Sequence, residues 1–148
     1  MNLLHRVEYW GEHHHPKWLD LVRIALGIFL CYKGVEFMRN TGVLVDLMSS
    51  KMSFGQFTLL LLSHYIVFAH IMGGFLLALG LLTRFACLIQ IPILLGAIIF
   101  INAAPAVMHP FSELLISIVV LLLLIYFLVA GNGPWSFDWF VQKENQEA

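Results

Sequence analysis

Charged side chains are scarce in this sequence. Asp, Glu, Lys and Arg make up 11% of its 148 residues, whereas hydrophobic residues make up 60%. The mean hydropathy of +0.86 lies above that of ordinary soluble domains. This composition predicts an integral membrane protein. The sequence also lacks a run of basic residues, and its net charge is −1, so nothing indicates a nucleic-acid partner.

Cysteine is nearly absent, with two residues and no CxxC pair. Cys31 lies in the second half of the first apolar segment and Cys87 near the start of the third. In antiparallel spans these positions fall at different depths, beyond the roughly 7 Å Cα separation that a disulfide tolerates. We therefore expect no disulfide redox site, and both cysteines should pack as small apolar groups.

The layout of a cleavable signal peptide is also missing, because the first apolar run starts late and is long. Four apolar segments can each cross a bilayer core of about 30 Å as a helix. Their short connections favour one membrane domain over residues 1–148, an all-α antiparallel four-helix bundle. The predicted spans are 19–38, 57–82, 84–104 and 112–130, preceded by an interfacial segment 1–18 and followed by a C-terminal motif 131–140.

Lysine and arginine near span ends are retained on the cytoplasmic side of a membrane. The basic residues divide into Arg6, Lys17, Arg84 and Lys143 on one predicted side and Arg39 and Lys51 on the other. This division predicts that both termini are cytoplasmic.

Segment 1–18 has the apolar spacing of a short helix in the membrane interface, with a frayed tail as the alternative. It contains His13, His14 and His15. Metal binding requires ligands in a defined geometry, which adjacent residues on a tail do not provide. We therefore predict no metal site.

Ionisable residues inside a predicted span each need an explanation, because an unpaired charge in a bilayer is costly. Arg23 lies about one turn inside the first span, where its side chain can snorkel to the headgroups. Lys33 and Glu36 are three residues apart on one helix, so they can form an internal ion pair. The alternative for Lys33 and Glu36 is a ligand or proton site.

Depth along the spans brings further polar groups to one level. Counted at about 1.5 Å per residue from opposite edges, Lys33 and His64 are expected at about the same depth. Asn102 and Glu113 should lie slightly further out. The candidate ligand or proton site therefore comprises Lys33, Glu36, His64, His70, Asn102 and Glu113.

The second span has a polar and small-residue face that is expected to turn inward. At about 100° per residue, Ser63, His70 and the pair Gly73 and Gly74 share this face, together with Gln56 at its start. His64 points about 120° away from His70. Two histidines facing apart on one helix cannot ligate one haem, so no intrachain haem is predicted; a dimeric site or one using His109 is the remote alternative.

Pro92 removes a backbone hydrogen bond inside the third span, which should kink the helix. Gly96, one turn later, is expected to allow close packing there. A kink of this kind can open a cavity.

Several motifs in order resemble the DoxX family of small four-helix membrane proteins. They are "LDLVRIALGIFLCYKG" in the first span, "HIMGGFLLALGLLTR" through the second turn, "SEL" opening the fourth span, and "GNGPWSFD" after it. The resemblance covers most of residues 19–138. The family usually has an acid just before the paired glycines, where this sequence has His70, so acid chemistry does not carry over to that position.

The resemblance implies a membrane subunit or partner of a quinone-linked oxidoreductase system, in which the candidate site contacts a quinone. No redox centre is encoded, so such a subunit would not act alone; its expected partners are the bilayer and a redox enzyme or a second copy of the chain. The alternative is a non-catalytic anchor or assembly partner, whose polar groups only fix helix packing. A carrier for a lipid or small solute is the third hypothesis, although no inverted repeat supports it.

The C-terminal motif ends the last span at Gly131, Gly133 and Pro134. Ser136 is placed to cap a short final helix. Asp138 should emerge on the same side as Arg23 and Arg84, so we predict that it pairs with one or both of them as a clasp. Solvated separation of these charges is the alternative.

Overall fold

The computed structural model describes Arg6 and residues 16–102, 110–131, 133 and 136–147, and the described residues are helical with no strand among them. The prediction of an all-α fold is confirmed. The helices are α1 (Lys17–Arg39), α2 (Thr41–Lys51), α3 (Gln56–Leu79), α4 (Thr83–Gly96), α5 (Pro110–Ala130) and α6 (Phe137–Glu147), with a π-helical segment, Ala97–Asn102, continuing α4.

The contact between α1 and α3 is the most extensive in the bundle, and glycines bring the two backbones together. A Cβ built on Gly27 would lie 2.5 Å from the Ala78 nitrogen, and one on Gly74 would lie 2.7 Å from the Cys31 nitrogen. Small residues at such positions allow helices to approach closely. Of the predicted small face of α3, Gly74 therefore contacts α1, whereas Gly73 lies against Gln90 of α4.

The remaining long helices complete the bundle in chain order. α3 packs on α4, and α4 packs on α5. Between them lies an apolar core in which the side chains of Leu77, Cys87, Leu124 and Phe127 are fully buried. The burial of Cys87 among these side chains agrees with the expectation that it packs as a small apolar group.

The connection between α1 and α3 contains helix α2. Leu44 and Met48, four residues apart, share one face of α2 and pack against Leu59 near the start of α3. The first turns of α3 are therefore covered by α2, and α1 contacts α3 further along.

The turn between α3 and α4 is made by two hydrogen bonds that close the end of α3. Gly80 has φ 69° and its N–H donates to the Leu77 carbonyl, while the Leu81 N–H donates to that of Leu76. This is the Schellman arrangement, in which glycine adopts the left-handed conformation without a Cβ clash.

Helix α4 continues through Pro92 and changes to π-helical geometry at Ala97. Among the described residues, nothing lies within 4 Å of a Cβ built on Gly96, so the expectation that it serves close packing gains no support. The residue instead borders open space at the point where the backbone changes its helical geometry.

Among the described helices, Gln56–Leu79 is long and apolar enough to cross a membrane, and Thr83–Ile99 and Leu114–Ala130 form shorter apolar stretches. α1 has the length but carries charged residues at both ends and in its middle. Large apolar side chains are exposed on all of these helices, for example Ile28, Phe68, Leu88 and Leu122.

Candidate functional site

A cavity of about 650 Å³ lies where α1, α2, α3, α4 and α5 meet. Its walls are mainly aliphatic and aromatic, and the ionisable side chains among its described lining residues are Lys33, Glu36, Tyr65 and His70. A mostly apolar cavity of roughly 300–1,000 Å³ with a few polar groups is the usual form of a small-molecule site. Three of the six predicted site residues therefore line one cavity.

The cavity adjoins an apolar groove of about 380 Å³ between α1 and α5. Phe29, Ile116 and Val120 line both spaces. The groove contains almost no polar surface. Together the two spaces form a region that is polar at the Lys33 wall and apolar toward α5.

Lys33 and Glu36 form the predicted ion pair, with 2.8 Å between Nζ and Oε2. Their side chains are 32% and 43% exposed, so the pair lies at the cavity wall and is partly open. The confirmed pair follows directly from the three-residue spacing on one helix. A role for it in binding a ligand or a proton stays a prediction.

His70 is buried, with 5% of its surface exposed, which agrees with its predicted inward orientation. Its Nδ1 lies 2.9 Å from the Ile66 carbonyl oxygen, one turn earlier. The ring meets Phe37 of α1 edge to face, with 5.3 Å between the ring centroids. These two contacts fix the position of the imidazole ring.

His64 lies outside the cavity. It is exposed on α3, and its Nδ1 is 2.8 Å from the Leu60 carbonyl oxygen. The expectation that His64 shares the depth of Lys33 is wrong, because Gly34 of α1 packs against His70 and Ile71 instead. The extra helix α2 offsets the ends of α1 and α3, which the depth count did not include.

Asn102 ends the π-helical segment and Glu113 belongs to the first turn of α5. The side chains of both residues lie outside the described part of the structure, as do His109 and His13 to His15. Membership of Asn102 and Glu113 in the site stays a prediction.

The opposite end of the bundle contains a second ionic centre. Arg23 donates from Nη1 to Asp20 Oδ1 over 2.9 Å, and neither side chain has any exposed surface. The expectation that Arg23 snorkels to headgroups is therefore wrong, because a carboxylate one turn earlier holds it inside the protein. Sequence reasoning missed Asp20, although its three-residue spacing from Arg23 is the same signal that identified Lys33 and Glu36.

The C-terminal motif packs directly on this second centre. A Cβ built on Gly133 would collide with the Asp20 carboxylate, and one on Gly80 would lie 2.7 Å from the Ser136 Cβ and 2.9 Å from the Arg23 guanidinium. Ser136 is buried and immediately precedes α6, the position predicted for a cap. The motif therefore encloses the Asp20–Arg23 pair through its small residues.

Arg84 lies beside the same motif, since a Cβ on Gly131 would be 3.1 Å from its Nε. Asp138 lies in α6, but its side chain is outside the described residues. The pairing of Asp138 with Arg23 or Arg84 stays a prediction. Among the described contacts of the motif, Gly131 lies against Arg84, Gly133 against Asp20 and Ser136 against Gly80.

Gln90 is a further buried polar residue that sequence reasoning missed. Its Nε2 donates to the Ala69 carbonyl over 2.6 Å, in the space left by Gly73. Its Oε1 is buried and has no hydrogen-bond partner among the described residues. Cys31 makes a simpler contact, donating from Sγ to the Ile71 carbonyl over 3.3 Å. Both contacts connect α3 to a neighbouring helix.

These features define a class of protein: a small helical bundle with a buried ion pair at one end and an amphipathic cavity at the other. The DoxX family model matches residues 18–103. Since this is more than half of the chain, the protein belongs to the DoxX family. The match spans α1 to the end of the π-helical segment, so α5 and the C-terminal motif lie beyond it. Comparison with curated proteins and with solved structures gives no match.

Proposed function

We propose that this protein is an integral membrane subunit or partner of a quinone-linked oxidoreductase system, and that it binds a quinone-class amphiphile in the cavity. The observation that carries this proposal is the shape and polarity of the cavity. An ion pair and a histidine occupy its wall, while most of the remaining lining is apolar and continues into the α1–α5 groove.

Membership of the DoxX family and the large apolar side chains exposed along the helices support a lipid environment. In this proposal α1, α3, α4 with its π-helical extension, and α5 are four antiparallel spans, and both termini are cytoplasmic. The Asp20–Arg23 pair then lies near the cytoplasmic face and the cavity in the outer half. Because the Asp20–Arg23 pair is enclosed by protein, its charges are not exposed to lipid, where they would be costly.

The polar groups of the cavity fit a ring that carries oxygen atoms. Lys33 Nζ supplies hydrogen-bond donors, and Glu36 and His70 supply acceptors or proton-exchanging groups. The groove beyond Phe29 suits an apolar tail. The chain then positions the amphiphile, while a partner enzyme supplies the electrons.

A cavity-filling variant tests this proposal. Gly96 lines the cavity, and no described residue lies within 4 Å of a Cβ built on it, so Gly96→Phe should place part of a ring in the cavity. The measurement is a titration of the full chain in lipid nanodiscs with a short-tailed benzoquinone. We expect Gly96→Phe to weaken binding at least tenfold.

Gly42 provides a matched control. It also has no neighbour within 4 Å of a built Cβ, but it lies on the exposed face of α2, outside the cavity. Gly42→Phe should bind the quinone as the wild type does. Equal affinity of Gly96→Phe and Gly42→Phe would place binding elsewhere and refute the cavity as the site.

The second candidate function is a non-catalytic assembly partner. The direct 2.8 Å contact between Lys33 and Glu36 favours it, because the two charges already compensate each other. If this pair only fixes packing, reversing each charge singly should lower the amount of protein in the membrane, and the charge-swapped double variant should restore it. Restored abundance with lost quinone binding would support the first function over the second.

A further inference from the structure

The hydrogen bond at His70 determines which ring nitrogen carries the proton. A carbonyl oxygen can only accept, so the 2.9 Å contact with the Ile66 carbonyl requires a proton on Nδ1. In a neutral imidazole the other nitrogen, Nε2, then carries a lone pair. His70 therefore faces its surroundings as a hydrogen-bond acceptor.

The surroundings of the ring favour this neutral form and fix its direction. His70 is 5% exposed, and a charged imidazolium so removed from water would need a compensating partner. Phe37 lies edge to face with the ring, and Gly34 packs on the His70 Cβ. No partner for Nε2 occurs among the described residues, and the side chain lines the cavity.

The other ionisable groups on the cavity wall, Lys33, Glu36 and Tyr65, leave His70 as a hydrogen-bond acceptor. Lys33 is a donor that can serve either a carbonyl or a hydroxyl oxygen, and one of its protons already goes to Glu36. Glu36 is an acceptor when ionised. A ring bound here therefore meets acceptors at His70 and Glu36 and donors at Lys33 and Tyr65, and the Tyr65 hydroxyl can also accept.

We propose that the cavity selects the reduced, hydroxyl-bearing ring of its amphiphile, the quinol, whose O–H donates to His70 Nε2. A quinone offers only carbonyl oxygens, so it would place an acceptor against an acceptor and leave Nε2 without a hydrogen bond. This inference rests on the proposed function, because it specifies which redox form that site holds.

The test compares three ligands with the same short alkyl tail: a hydroquinone, the corresponding benzoquinone, and the dimethyl ether of the hydroquinone. Affinities are measured anaerobically on the full-length chain in nanodiscs. We expect the hydroquinone to bind about tenfold more tightly than the other two, the size expected for one satisfied hydrogen bond. Equal binding of all three, or tighter binding of the quinone, would overturn the inference.

Protein variants assign the preference to His70. His70→Leu should remove the difference between hydroquinone and its ether, whereas His64→Leu, on the exposed face of the same helix, should retain it. If His70→Leu does not fold, the same ligand comparison on the wild type and on His70→Gln, which keeps an acceptor oxygen, still tests the role of His70. His70→Gln is expected to retain part of the preference, and a preference unchanged in His70→Leu would contradict the assignment.

The same data separate the inference from the proposed function. Three ligands that bind equally, each weakened by Gly96→Phe, would leave the cavity as the site and remove only the selectivity. Absence of binding for all three would contradict the proposed function as well as the selectivity.

Discussion

Two pairs of opposite charges on α1 have the same three-residue spacing and different surroundings. Asp20 and Arg23 are fully buried, whereas Lys33 and Glu36 are about one-third to two-fifths exposed. A buried charge that loses its partner is strongly destabilising, while a partly solvated charge is compensated by water or headgroups. Breaking the first pair should therefore destabilise the fold, whereas breaking the second should cost little.

Neutralising one acid of each pair should show this difference. Asp20→Asn removes the carboxylate that Arg23 contacts inside the protein and should lower the free energy of unfolding by about 3–5 kcal/mol. Glu36→Gln should change it by about 0–1 kcal/mol. Denaturant unfolding of both variants in detergent micelles measures the difference. Equal losses for the two variants would contradict the assignment of different roles.

Local spacing made the Lys33–Glu36 pair predictable, because three residues on a helix always bring side chains together. The same spacing did not decide the position of Arg23. Near the end of a span an arginine can turn toward headgroups or toward the protein, and helix packing makes that choice. The small residues that enclose Arg23 come from Gly80 and the C-terminal segment, which are distant in sequence.

At the scale of elements, the α1–α3 contact depends on backbone approach. A Cβ on Gly27 would lie 2.6 Å from the Gly74 carbonyl oxygen and within 2.8 Å of two Ala78 backbone atoms. Backbone atoms cannot move aside as a flexible side chain can. Alanine at this position should therefore separate the two helices.

Gly27→Ala is expected to cost about 1–3 kcal/mol of stability, the usual range for overpacking. Gly96→Ala is the matched control, since it adds the same methyl group to α4 where nothing lies within 4 Å. Thermal unfolding followed by size-exclusion chromatography compares them. A Gly27→Ala protein as stable as the Gly96→Ala protein would show that the close approach is not required.

The positions of the long helices were predictable from hydrophobic runs, but their relative depth was not. Counting from span edges aligned Lys33 with His64, whereas Gly34 packs on His70, about 9 Å further along α3. The reason is α2, whose Leu44 and Met48 cover the start of α3. The packing of α2 on α3 offsets the ends of α1 and α3.

The two ends of the molecule differ in structure. At one end the Asp20–Arg23 pair is enclosed by Gly80, Gly133 and Ser136. At the other end the cavity opens around Lys33 and His70. The residues matched to the DoxX family contain both charge pairs and most of the cavity, while α5 adds one wall and the C-terminal motif covers the buried pair.

The difference between the two ends of the molecule could be predicted only in part from the sequence. The resemblance to the DoxX family indicated the bundle, and the predicted inward face of α3 located His70. The kink expected at Pro92 indicated a place where a cavity could open, and Pro92 lines the cavity, but the extent of the space was not predictable. Such space depends on how five helices meet and leaves no local pattern.

Native mass spectrometry of the gently purified chain tests most directly whether the cavity holds a quinone-class amphiphile. We expect one quinone or quinol bound per wild-type chain, retained in Gly42→Phe and lost in Gly96→Phe. A wild-type chain without such an adduct, or one that keeps it in Gly96→Phe, would contradict the cavity as a quinone site.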